Sequence, residues 1–418
     1  MSAAPRVWIY TDVFPPAVAG AAYMVETWTQ QLTQQGFKVR VFFPSGSRDR
    51  WRTADQVAFK TWKDVAYVGD LHARFSALVE MRRAKNELPD LIFVATPGRV
   101  GMLGMATAQR YEVPLVMVYS ADLVGALEFY DSNRAVVATI SKVFAMGAAS
   151  SKLRRRMLDV RSFLRDHPQP ITKRAPFHLL RACQAGANSV ILLSRKRVEM
   201  VQGWAPEVPV HVIPSGIDRL PAADAPPELA WRDGALRVVY VGRFAREKNL
   251  PPVVEALRIA RDEGVEVDLT LVGEGELADE LPQLAKELGV TDRFRTIGPY
   301  RRHQLRGIYA SADVFVFASV SDTQGFVLNE AAHEGLPLLV SDPGVNPVVS
   351  EGESAYVVPP TARGYADGFA ALSDPELRKK LGERAKALAE DLSEERQSAK
   401  VADILRRTIA GEPVVAVR

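Results

Sequence analysis

The chain has 418 residues, 53 of them Lys or Arg and 50 Asp or Glu, for a net charge of +3. Such a balance gives no reason to expect nucleic acid as a partner, and 47% hydrophobic with 25% charged residues excludes a disordered or fibrous chain. The length exceeds one ordinary core and predicts two domains of about 200 residues each.

The opening MSAAPRVWIYTDVFPP holds an apolar run too short for a signal-peptide core, so a cytoplasmic location is expected. RVWIY (6–10) reads as a strand, followed by a helix over 21–35, the strand KVRVFF (38–43) and a helix near 71–87. DLIFV (90–94), a helix over 98–111 and PLVMVY (114–119) continue the alternation, which predicts βαβ units and a parallel sheet. The weakly polar run from Ala135 to Ser150 is broken by Lys142 and falls short of the ~20 residues of a membrane span, so no transmembrane helix is expected.

Residues 151–174 are strongly basic, with Arg154, Arg155, Arg156, Arg161 and Arg165 among Leu153, Met157, Leu158, Phe163 and Leu164. That pattern fits a basic amphipathic helix for an anionic membrane or an acidic acceptor, with a solvated surface helix as the alternative. The lone Cys183 excludes an internal disulfide framework and a multi-cysteine metal site. NSVILLS (188–194), a helix over 195–202 and VHVIPSGID (210–218) complete the first half.

The segment DRLPAADAPPELAWRDG (218–234) is rich in Pro and Ala, lacks a strand pattern and reads as a linker. The alternation then restarts with LRVVYVGR (236–243), VDLTLVGEG (267–275), FRTIG (294–298), DVFVFAS (313–319) and PLLVSD (337–342). Helices are expected from 250, 276, 302 and 325, and helical patterns at 361–372, 375–390 and 393–411 close the chain without further strands.

Ligands of open α/β sheets bind beyond the carboxyl ends of the strands. Three such ends in the second half carry anion-binding chemistry. The stretch VGRFAREKNL supplies Arg243, Arg246 and Lys248 after Gly242, and VGEGEL supplies Gly273 and Glu274. In SDTQGFVLNEAAHEG, Gly325 precedes a helix start whose amides at Phe326, Val327 and Leu328 would favour a phosphate, with Asp322 before it and Glu330 about one turn inside. Two cations facing a helix N-terminus make a diphosphate clamp, and Glu330 suits a ribose diol. Each element alone also reads as an ordinary turn, a solvated basic loop or dipole complementation.

VGRFAREKNL, LVGEGEL, YASADVFVFAS and DTQGFVLNEAAHEGLPLLVSD resemble the donor domain of retaining family 4 glycosyltransferases, and VIPSGID (212–218) resembles that family's interdomain segment. The resemblance implies the α/β GT-B fold, two Rossmann-like doubly wound domains facing a central cleft. Residues 1–217 would be the acceptor-side domain, 218–235 the linker and 236–392 the nucleotide-sugar donor domain. The C-terminal segment 393–418, with its helical pattern at 393–411, could either pack on the second domain or cross back to brace the first.

The same resemblance implies that Arg243 and Lys248 hold the donor diphosphate and Glu330 the nucleotide ribose, with the base near Tyr300. The family pattern places two glutamates with seven residues between them, the first bonding donor-sugar hydroxyls; here Asp322 stands at that first position. In the first half, TDVFPPAVAGAAYMVETW resembles the family's glycine loop, with Gly20 matching the second glycine and Ala19 replacing the first. PLVMVYSADLVGALEFY resembles the segment in which a histidine follows the tyrosine, but Ser120 follows Tyr119, with Asp122 two residues on. Serine can hydrogen-bond yet cannot serve as a base near neutral pH. The remaining histidines read as surface or structural residues.

The function implied is retaining transfer of a hexose-type sugar from a nucleotide diphosphate sugar, UDP-sugar by default, to a hydroxyl acceptor that is a lipid or a saccharide. No cofactor or metal is expected, because Arg243 and Lys248 supply fixed positive charge. The 151–174 segment would add a peripheral contact at the inner membrane face. The alternative is a nucleotide-sugar-binding partner subunit without activity, which Ser120 and Asp322 would favour.

Overall fold

The computed structural model of the protein describes residues 4–15, 20–45, 56–62, 72–73, 88–120, 184, 186–222 and 229–414. The chain forms two compact units, Met1–Gly216 with Glu394–Arg418, and Ile217–Ser393.

In the first unit, β1 (Arg6–Tyr10), β2 (Lys38–Ser45), β3 (Gln56–Trp62), β4 (His72–Ala73), β5 (Leu91–Val94), β6 (Leu115–Tyr119), β7 (Ser189–Leu192) and β8 (Val210–Val212) form one sheet. Its order is β4-β3-β2-β1-β5-β6-β7-β8, parallel throughout except where β4 runs antiparallel to β3. The central strands read as unbroken apolar runs because both sheet faces are covered; every residue of LIFV and LVMVY is buried. Helix α1 (Gly20–Gln34) buries Met24, Val25, Trp28 and Leu32, one stripe at helical spacing, and Trp28 packs 5.6 Å from Phe93. Helices α2 (Arg99–Tyr111) and α3 (Val198–Trp204) complete the described layers of this unit.

In the second unit, β9 (Leu236–Val241), β10 (Val267–Val272), β11 (Phe294–Ile297), β12 (Val314–Phe317), β13 (Leu338–Val340) and β14 (Ala355–Val357) form a fully parallel sheet in the order β11-β10-β9-β12-β13-β14. Alternate residues of each strand feed opposite faces. Val238, Tyr240, Leu269, Leu271, Val314 and Val316 pack with α4 (Pro251–Asp262), α5 (Glu280–Glu287) and α8 (Ala362–Ala371). Val239, Val241, Phe315, Phe317, Leu338 and Val340 pack with α6 (Leu305–Ala310), α7 (Phe326–His333) and α9 (Pro375–Glu390).

The last helix, α10 (Glu394–Ile409), belongs to the first unit and packs on α1. The Tyr23 hydroxyl donates to Glu394, Arg406 Nη2 donates to the Gln35 carbonyl at 2.9 Å, and the Arg406 guanidinium lies 5.0 Å from the Phe37 ring.

Three short elements depart from the sequence expectation. His72–Ala73 is a strand where a helix near 71–87 was expected, and Gln56–Trp62 and Ala355–Val357 are strands that no apolar run announced. Each is completed by a neighbour: Val41–Ser45 pairs with Gln56–Lys60, Thr61 and Trp62 pair with Ala73 and His72, and Leu338–Val340 pairs with Ala355–Val357. A ladder partner is information that a local pattern does not contain.

His211 on β8 is fully buried, and burial together with the positive charge of Arg407 lowers its pKa from 6.5 to about 4. The ring is therefore neutral in the fold but charges in the unfolded chain below 6.5, so its stability contribution is complete above 6.5 and is lost as pH falls towards 4. Urea unfolding of wild type should weaken between these limits by up to about 1.4 kcal/mol per pH unit more than that of His211→Gln. Parallel pH profiles for the two proteins would exclude this titration as a source of acid sensitivity.

Candidate functional site

The second unit's strand-end loops are knitted by backbone hydrogen bonds. Gly242 N donates to Val272 O at 3.0 Å, Phe244 N to Glu274 O at 2.7 Å and Gly273 N to Ile297 O at 2.9 Å, joining the ends of β9, β10 and β11. The approach requires glycine: with φ at 146°, a Cβ on Gly273 would lie 2.0 Å from the Gly242 carbonyl oxygen. The loop after β12 joins them where Ser319 Oγ donates to Glu247 O at 3.3 Å.

On this scaffold the candidate charges fall into pairs. Arg243, 47% exposed, is ion-paired with Glu247, whose side chain is 4% exposed, at i,i+4 spacing. Lys248 Nζ donates to both oxygens of Asp322, at 2.8 and 2.7 Å, across a sequence separation of 74. The ammonium and carboxylate expected to serve different parts of one ligand are therefore in direct contact. Tyr240 donates its hydroxyl to Arg243 O at 3.0 Å; burial raises its pKa, with Asp322 and Glu247 adding to the effect, so it stays a neutral donor.

Glu330 is buried at 5% exposure and accepts one hydrogen bond on each oxygen. Arg302 Nε donates to Oε1 at 2.8 Å, and the Tyr309 hydroxyl donates to Oε2 at 2.9 Å. Burial raises the Tyr309 pKa and the adjoining Glu330 charge raises it further, which keeps this hydroxyl protonated as a donor.

Helix α7 begins just past Gly325, which sits at φ 63°, with Phe326 and Val327 half-buried. Its entry is held from behind by Asn346, whose Nδ2 donates to Gln324 O at 2.7 Å and Asn329 Oδ1 at 2.6 Å. Of the three amides expected to serve an anion, that of Leu328 is already used: it donates to Gly325 O at 2.9 Å, and the Leu328 side chain is in the core. The expected role of the Leu328 amide is corrected accordingly. Tyr300 is half-buried against the core and Glu274 is exposed.

In the first unit, Gly20 opens α1, whereas Ala19 lies outside the described residues. Tyr119 and Ser120 are buried at the end of β6, the Tyr119 ring lying edge-on to Trp204 at 6.2 Å. Asp122 and the basic segment 151–174 lie outside the described residues. His333 is buried with Nε2 2.8 Å from Ile217 O, a structural position.

Sequence reasoning missed Asp12, just past the end of β1. Its carboxylate accepts from Thr96 Oγ1 at 2.8 Å and from the amides of Val100 at 2.7 Å and Gly101 at 3.4 Å, capping α2. Burial pushes its pKa up while these donors hold it down. It also missed Glu247, although the i,i+4 spacing from Arg243 was visible, Tyr309, although it opens the quoted YASADVFVFAS stretch, and Arg302 and Asn346, which no motif marks. Among the described residues no cluster of three or more His, Cys, Asp or Glu side chains is placed to hold a metal ion. No described helix is long and apolar enough to cross a membrane.

The comparisons with known proteins agree with this architecture. Residues 19–216 match the glycosyl transferase 4-like domain and residues 223–388 match the glycosyl transferases group 1 family. The chain belongs to the family 4 glycosyltransferases of the GT-B fold. It is 24% identical over 367 residues to the alpha-monoglucosyldiacylglycerol synthase of Streptococcus pneumoniae, covering 83% of this chain and 73% of that protein. In fold it is similar to sucrose-phosphate synthase from Thermosynechococcus elongatus, at TM-score 0.68 and 17% identity over 98% of this chain and 100% of that one. It is also similar to Anabaena HepE solved with UDP-glucose, at TM-score 0.65 and 14% identity over 96% and 99% of the two chains.

The entry to α7 is checked by comparing two glycines. A Cβ on Gly325 would meet the Phe317 ring at 2.7 Å, whereas a Cβ on Gly352, at a similar φ of 73°, meets nothing within 4 Å. Gly352→Ala should cost about 1 kcal/mol of unfolding free energy and Gly325→Ala about 2–3 kcal/mol, measured by urea denaturation. Equal costs would mean that the ring moves aside freely.

Proposed function

We infer that the protein is a retaining glycosyltransferase that moves a hexose-type sugar from a UDP-sugar to a hydroxyl group of a lipid or saccharide. The observation carrying this reading is the contact of Lys248 with Asp322, because it joins the basic loop after β9 to the loop that leads into α7. A diphosphate at that junction would meet Lys248, Arg243 and the amides of Phe326 and Val327, with Gly242, Gly273 and Gly325 allowing close backbone approach. Glu330 would take the ribose hydroxyls and Tyr300 the base. The UDP-glucose bound by HepE supports a UDP-sugar donor, and the name of the pneumococcal relative supports a lipid acceptor.

In this reading the bond from the anomeric carbon to the diphosphate oxygen breaks while the acceptor oxygen bonds the same face. The acceptor's proton passes to the departing diphosphate oxygen, which takes the bonding electron pair. The protein's part is to orient the partners and stabilise the diphosphate charge. Arg243 and Lys248 do so without a metal, Asp322 bonds sugar hydroxyls, and Ser120 offers one hydrogen bond. Gly20 would let the donor phosphate approach the start of α1. Tyr119 and Asp122 belong to the acceptor side, with basic residues 151–174 drawing the protein to an anionic inner membrane face.

Two measurements test this reading. Purified protein given UDP- and GDP-sugars, with lipid and saccharide acceptors, should release nucleotide from one donor at a rate unchanged by EDTA, and the product should keep the donor's anomeric configuration. Binding without turnover of any donor would identify a binding subunit, and loss of turnover with EDTA would remove the metal-independent mechanism. Lys248→Ala should weaken UDP binding by about tenfold or more while changing uridine binding by less than about twofold, as seen by calorimetry. Equal losses for the two ligands would place Lys248 away from the diphosphate.

A further inference from the structure

Glu330 is a buried carboxylate with both oxygens already bonded, to Arg302 and to Tyr309. A buried carboxylate is costly unless its oxygens are hydrogen-bonded, and these two contacts meet that need. They come from one stretch of chain. Gly298–Arg302 follows β11 and carries Tyr300, a 3-10 turn over Arg302–Gln304 leads into α6, and α6 carries Tyr309 near its end. The turn is itself fixed, since the Arg301 amide donates to Gln304 Oε1 at 3.0 Å.

The two donors reach different oxygens, so they define the carboxylate plane as well as its charge. Each oxygen keeps a further lone pair, and with the plane set, those two lone pairs have fixed directions. Two neighbouring hydroxyls are the ligand chemistry that two parallel acceptors suit. Arg302 is also 37% exposed, so this pinning group sits at the surface of the site while the carboxylate stays inside.

We propose that Arg302 is a positioning residue for the nucleotide: it holds Glu330 so that both oxygens face the ribose 2′,3′-diol, and it makes the site selective for ribose. The proposal rests on the reading of Glu330 as the ribose acceptor given above. A purely structural ion pair would support α7 equally for every ligand. A positioning role acts only on ligands that have the diol.

The test uses the full chain and calorimetry with uridine or guanosine diphosphate, whichever binds more tightly, and its 2′,3′-dideoxy analogue. Wild type should prefer the ribose form by about tenfold or more, the scale of two hydrogen bonds to a buried charge. Arg302→Met should bring that preference within about threefold while binding the dideoxy form as wild type does. Arg302→Lys, which keeps a cationic donor, should retain most of it. Tyr309→Phe, which keeps the ring and removes the second donor, should lose part of the preference with the fold intact by thermal unfolding.

Equal weakening of both nucleotides in Arg302→Met, or an undiminished preference, would overturn the positioning role. If Arg302→Met does not fold, an unchanged preference in Tyr309→Phe together with a lost one in Arg302→Lys would overturn it too. A wild type that binds both nucleotides equally would remove Glu330 from the ribose and this inference alone. A wild type that binds neither would remove the proposed donor site as well.

Discussion

The close passage of two backbones at the carboxyl end of the second sheet is the constraint on which the candidate site depends. Gly273 lies where any side chain would collide with the Gly242 carbonyl, and only that approach lets Gly242 and Phe244 bond to Val272 and Glu274. Those bonds set the path of the loop after β9, and so the positions from which Arg243 and Lys248 project. Two hydrogen-bonded loops are a rigid support, and a charge on a rigid support loses little entropy when it meets a ligand.

That support presents charge in compensated form. Glu247 is nearly out of water and is stable there because Arg243 pairs with it, while Lys248 pairs with Asp322 at partial exposure. A diphosphate entering the site would compete with carboxylates that are already bound, so its affinity depends on how far each cation can serve two partners. Arg243, paired with Glu247, keeps nearly half of its side chain exposed. Asp322, one methylene shorter than the glutamate of the family pattern, is tied to Lys248.

The first unit is organised by a different device. Asp12 caps α2 and packs so tightly against Gly98 that a Cβ there would come 2.5 Å from its carboxyl carbon. A carboxylate at a helix N-terminus is favoured by the dipole and by unpaired amides, and burial strengthens both effects by excluding water. The end of β1 is thereby joined to the start of α2, near the centre of a sheet whose order places β1 beside β5.

The amino-acid sequence by itself determined the alternation of strands and helices, the central strands of both sheets and the family motifs, because these are written in short apolar runs, glycines and spacings. It also showed Arg243, Lys248, Asp322 and Glu330 as chemistry-bearing residues at strand ends. Only the tertiary structure decided who meets whom: Lys248 with Asp322, Glu330 with Arg302 and Tyr309, Asp12 with the first turn of α2, and the edge strands β3, β4 and β14 with their neighbours. The physical reason is range. A turn, a helix start or a buried strand is set by residues a few positions apart, whereas an ion pair across a sequence separation of 74 exists only after the sheet has brought two strand ends together.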